Sequence, residues 1–88
     1  MQASDRENQF IHLVRLAWDL RTLHVTSSVE LPKDKEPALL LGAESSAVKV
    51  RATKERGVWV FIWGRGPEQR VRALSEEAAR TIQKAVYQ

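Results

Sequence analysis

The apolar positions of this chain change period as one reads along it, and the changes mark out its elements. Phe10, Leu13, Val14, Ala17 and Leu20 recur at the three-and-four spacing of one helical face. Ile11, Leu16 and Trp18 lie off that stripe, so the apolar arc is wide. Ser4 and Glu7 stand just ahead at the S-x-x-E spacing of a capping box, and the pattern predicts a helix over about residues 5–22. From His24 to Leu31 the period becomes two. Val25, Ser27, Val29 and Leu31 alternate with His24, Thr26, Ser28 and Glu30, the mark of a strand with a polar outer face.

The segment Pro32-Lys-Asp-Lys-Glu-Pro37 is a charged turn bracketed by prolines, which cannot continue a ladder. Ala38–Leu41 predicts a second strand, ended by Gly42. Ala47–Thr53 predicts a third, with Val48, Val50 and Ala52 inward and Lys49 and Arg51 outward. Lys54–Gly57 is expected to be a hairpin loop, Val58–Trp63 a fourth strand, and Gln69–Ala73 a short edge strand beyond the turn Gly64-Arg-Gly-Pro67. Ser75 then caps a closing helix, with Glu76 and Glu77 in its first turn and Lys84 near its end, the charge order that suits the helix dipole. Ala78, Ile82, Ala85 and Val86 are its expected inner face. The order predicts a single two-layer α+β domain over residues 1–88: one antiparallel sheet of four or five strands, with both terminal helices on one face.

The fourth strand is unusual in being apolar on both faces. Val58, Val60 and Ile62 point one way, and Trp59, Phe61 and Trp63 the other. Each large aromatic buries about 150–250 Å², so leaving three of them wet would forgo on the order of 10 kcal/mol, as much as the whole stability of a small domain. Burial energetics therefore favours helices over the aromatic face. The other reading has helices over the valine face and the aromatic stripe open to a partner.

Composition narrows the function classes. The 88 residues include no cysteine, which excludes disulfides and Cys-based zinc sites. No apolar run reaches the roughly 18–20 residues of a membrane span, and no signal-like segment follows Met1, so a cytoplasmic protein is expected. The net charge of +3 is uneven: residues 1–42 hold five Lys/Arg against six Asp/Glu, residues 43–88 nine against five. Lys49, Arg51, Arg65, Arg70 and Arg72 belong to that basic half. Basic side chains beside stacking aromatics can hold single-stranded nucleic acid, and they also guard a sheet edge against aggregation.

Catalytic patterns are wanting. His12 and His24 have no H-x-x-x-H or H-E-x-x-H spacing, and Ser27, Ser28, Ser45 and Ser46 stand in no nucleophile-elbow context. Gly64-Arg65-Gly66 opens no helix, so it is not a phosphate loop. Asp19, Glu30 and Glu44 form no constellation with a partner that would tune a pKa. No catalytic residue, metal site or cofactor is expected.

Four stretches carry a resemblance: Leu13 to Leu20, Pro37-Ala-Leu-Leu-Leu41, Gly57-Val-Trp-Val-Phe-Ile-Trp-Gly64 and Glu77-Ala-Ala-Arg-Thr-Ile82. Together they resemble a group of small, uncharacterised actinobacterial α+β proteins with an aromatic strand closing in W-G and an alanine-rich C-terminal helix. Many members carry an acidic residue after W-G, where this chain has Arg65. The resemblance implies a compact α+β domain in a bacterial cytoplasm and assigns no catalytic residue.

The expected function is a non-catalytic protein-interaction module, regulatory or adaptor-like, whose partner is another protein or a second copy in a homodimer. Its contact residues would be Trp59, Phe61, Trp63, Arg65, Arg70 and Arg72, on the uncovered sheet face or the edge near Gly64–Arg72. The alternative is a nucleic-acid-binding accessory protein that stacks bases on Trp59 or Trp63 and neutralises phosphates with Lys49, Arg51 and Arg65.

Overall fold

In the computed structural model, which describes residues 3–42, 47–64, 66 and 68–87, the first helix α1 (Ala3–Thr22) ends where the backbone turns left-handed at His24, φ 63°. There the amide of Val25 donates to the carbonyl of Leu20 at 2.9 Å, and that of His24 to Arg21 at 2.9 Å. This pair of bonds is a Schellman stop, which satisfies carbonyls the helix leaves free and is usually built on glycine. α1 begins one residue before Ser4, so Ser4 lies in the first turn and not at the cap position.

Five strands follow: β1 (Ser27–Glu30), β2 (Ala38–Leu41), β3 (Val48–Glu55), β4 (Val58–Ile62) and β5 (Arg70–Arg72). They form an antiparallel meander in the order β1-β2-β3-β4-β5, and the chain closes with α2 (Ala78–Tyr87). The strand expected from His24 to Leu31 is shorter at its start, because the Schellman stop occupies His24 and Val25. β3 and β4 run into a two-residue turn, Arg56-Gly57, with φ values of 51° and 81°. Positive φ at both positions makes a type I′ turn, whose twist matches paired strands. The hairpin loop is thus two residues and not four, and Lys54 and Glu55 belong to β3.

Register places the residues in rows. Phe61 sits between Ala52 and Val71, Leu39 beside Val50, and Trp59 beside Lys54, all on one face. Against that face lie Leu13, Leu16 and Leu20 of α1 and Ala78, Ala79 and Ile82 of α2, and together they make the core. The helices therefore cover the aromatic side of β4, the arrangement that burial energetics favours. Phe61 is only 2% exposed, and Trp59 and Trp63 are half-buried against the core.

Both helices are rotated from their expected setting. Leu16 is buried and Phe10 is exposed, so α1 faces the sheet with Gln9, Leu13, Leu16 and Leu20. Gln9 is admitted to this face because its Nε2 donates to the Ala52 carbonyl at 3.1 Å, which removes the cost of about 1–3 kcal/mol that an unpaired buried amide would carry. In α2, Ala79 is buried where Ala85 was expected, and Val86 packs at the margin. Residues 75–77 form a turn ahead of α2 in which Ser75 Oγ accepts from the Glu77 amide at 3.1 Å. Glu76 and Glu77 accordingly precede the helix and do not form its first turn. Gln83 donates to the Leu23 carbonyl at 3.4 Å and ties α2 to the end of α1.

Candidate protein-interaction surface

A helix whose apolar residues cover well over half its circumference cannot bury them all against one sheet. α1 turns Gln9, Leu13, Leu16 and Leu20 downward, and this leaves Phe10, Val14, Ala17 and Trp18 on the flank that overlooks β1, the first edge strand. Trp18 is 62% exposed, and the guanidinium carbon of Arg21 lies 5.6 Å from the centre of its ring. Val14, Ala17, Trp18 and Arg21 form one wall of a groove; His24, Val25, Thr26 and Ser27 form the other.

Of the seven exposed large hydrophobic side chains among the described residues, five belong to these two elements and the loop after β1: Phe10, Ile11 and Trp18 to α1, Val29 to β1 and Leu31 to the loop. With 36–62% of each exposed, and at roughly 150–250 Å² per large side chain, their open apolar area comes to about 450 Å², a size at which patches on monomers are often functional. The free side of β1 adds a row of backbone N–H and C=O groups with no neighbouring strand among the described residues. Such an edge, flanked by apolar side chains, can take up a strand from outside and bury a hydrophobic face beside it.

The face of the sheet away from the helices is built differently. It carries Lys49 and Arg51 of β3, Val58, Val60 and Ile62 of β4, and Arg70 and Arg72 of β5. Arg51 and Arg70 flank Ile62, and Thr53 and Arg72 flank Val60. Val60 is only 8% exposed although no helix covers it. The side chains of the flanking strands close over it, so this face offers charged tips and not an apolar centre.

These positions divide the expected contact set between the core and the two faces of the sheet. Phe61 is core, Trp59 and Trp63 point to the helix side, and Arg70 and Arg72 project from the other face. The five of these residues that the structure describes therefore do not share one face. Nor do the residues of the nucleic-acid reading: Lys49 and Arg51 lie on the face opposite Trp59 and Trp63, and the cation beside Trp59 is Lys54. Arg65 lies outside the described residues, as do Glu44, Ser45 and Ser46.

The W-G step has a structural account. A Cβ on Gly64 would fall 2.0 Å from Gln69 Oε1, and that same oxygen accepts the Gly66 amide at 3.0 Å. The Gln69 carbonyl in turn accepts from the Trp63 amide at 3.2 Å. Gly64 thus makes room for the side chain that holds the β4–β5 turn together.

A second cleft lies between the helices, lined by His12, Arg15, Asp19, Ser75, Glu76 and Arg80 among others. The His12 ring is 5.3 Å from that of Trp59, and its pKa is lowered first by burial and then by the charge of Arg15. Among the described residues no hydrogen bond joins His12 to a carboxylate or hydroxyl. His24 lines the α1–β1 groove and a small recess beside Gly42 and Gln83, where no described carboxylate meets it. No cluster of three or more His, Asp or Glu side chains among the described residues could hold a metal ion. No described helix is long and apolar enough to cross a membrane. Comparison with protein-family models, curated proteins and solved structures gave no match.

The α1–β1 surface was missed in the sequence because Phe10 and Val14 look like core residues at helical spacing, as Ala17 does, which packs at the core margin. The signal that could have found it is the surplus of apolar residues between Phe10 and Leu20, more than one sheet face can cover. The sidedness of β4 was also within reach. Any hairpin loop of even length puts Arg51 on the valine side and Val50 and Ala52 on the aromatic side.

Proposed function

We propose that this chain is a non-catalytic protein-interaction module, regulatory or adaptor-like, that binds through the flank of α1 and the free edge of β1. The observation that carries this reading is Trp18, exposed on an apolar flank directly beside an unpaired strand edge. Burying its open ring would contribute on the order of 4 kcal/mol before the costs of association. Tryptophan and arginine are also the residue types on which binding energy concentrates, and Arg21 stacks on Trp18.

A photo-crosslinking amino acid placed at position 18, with position 58 on the opposite face as control, tests the proposal. In concentrated cell extract or with purified protein, a covalent polypeptide adduct should form from position 18 and not from position 58. Adducts only at position 58, or none at either, would refute this surface.

A further inference from the structure

The exposed flank of α1 has the chemistry of a palindrome centred on Val14. Equal steps toward the two ends reach Ile11 and Ala17, then Phe10 and Trp18, then Glu7 and Arg21. Seven residues are almost two full helical turns, so Glu7, Val14 and Arg21 fall nearly in line along the axis. Both charged residues are exposed, and neither makes an ion pair among the described residues. Val14 and Ser27 line the same groove, which sets the centre of this row beside β1.

Resting on the proposed interaction role, we infer that the occupant of this surface is a second copy of the chain, docked antiparallel about a two-fold axis that passes beside Val14 and the middle of β1. Glu7 then meets the partner subunit's Arg21, Phe10 meets the partner subunit's Trp18, and each contact occurs twice, as an isologous interface requires. A parallel arrangement would instead set Glu7 against the partner subunit's Glu7. The rotation that reverses the helices also reverses the strands, so β1 pairs with the partner subunit's β1 and the five-stranded sheet continues as ten. An open apolar patch of about 450 Å² with a charged rim lies at the small end of specific interfaces, which fits a transient dimer more than an obligate one.

Sedimentation velocity on the purified chain, from about 1 to 500 µM, tests this with four proteins: the native sequence, Glu7→Arg, Arg21→Glu and the double reversal. The native chain should dimerise with a Kd on the order of 10 µM. Each single reversal replaces two attractive pairs by two repulsive ones and should weaken association about tenfold. The double reversal should return to within about threefold of the native value. Both positions are exposed, so circular dichroism should be unchanged in all four.

A native chain that stays monomeric throughout, or a double variant as weak as the single ones, would overturn self-pairing. If the chain is monomeric yet position 18 crosslinks a different polypeptide in extract, self-pairing fails and the interaction role stands. If position 18 gives no adduct either, both fail.

Discussion

Arg70 Nη1 donates to Glu55 Oε2 at 2.5 Å across β4, and the bond passes over Val60. Glu55 is the cross-strand neighbour of Val58 and Arg70 that of Ile62, so a bond joining them must cross the strand at the residue between. This explains how a valine on the face away from both helices is buried, and why that face has no sticky centre. The two side chains are 37% and 40% exposed, so the ion pair itself is largely screened. Removing it by Arg70→Ala should cost no more than about 1 kcal/mol, with a Glu55–Arg70 coupling below that in a double-mutant cycle. Urea denaturation of the four proteins of the cycle measures it.

Two of the described residues hold left-handed backbone without being glycine: His24 at the end of α1 and Arg56 in the β3–β4 turn. Each pays a steric cost of roughly 1 kcal/mol that glycine or asparagine would relieve. His24→Gly and Arg56→Asn should therefore each raise the urea midpoint by an amount equivalent to about 0.5–1 kcal/mol, with the slope unchanged. The second change creates Asn-Gly, the pair best suited to a type I′ turn.

How far the sequence revealed this structure depends on how one-sided each segment is. Val48, Val50 and Ala52 alternate with Lys49 and Arg51, so β3 could be oriented from its residues alone, and the register agrees. α2 is strongly amphipathic, and three of its four expected inner positions pack on the core. α1 is weakly amphipathic, so its rotation is decided by tertiary contacts, among them the bond from Gln9 to Ala52 that no periodicity announces. The proposed interaction surface follows from that rotation. It became legible only when the sheet showed which residues it had room for.

Gly64 and Gln69 should behave as a unit. Gly64→Ala displaces the Gln69 side chain and with it the bond to the Gly66 amide, at an expected cost of about 1 kcal/mol. In a Gln69→Ala background most of that cost should vanish. A full, additive loss in the double variant would mean the W-G step is held by something other than this side chain.

His12 makes stability depend on pH in a defined direction. Burial, and secondarily Arg15, hold its pKa below the ordinary 6.5. Between that value and the lower folded one, the unfolded chain binds more protons than the folded chain. Stability should be fully present above pH 6.5 and decline as pH falls through the folded pKa, and His12→Gln should flatten that part of the curve. Thermal midpoints at closely spaced pH values, native against variant, read it directly.

Amide hydrogen exchange along β1, followed as protein concentration rises, tests the central assignment most directly. Exchange at Ser27–Glu30 should slow as copies associate, while β5 at the other edge stays unchanged. Rates along β1 that ignore concentration, with protection gained at Arg70–Arg72 instead, would contradict the assignment of the contact surface to α1 and β1.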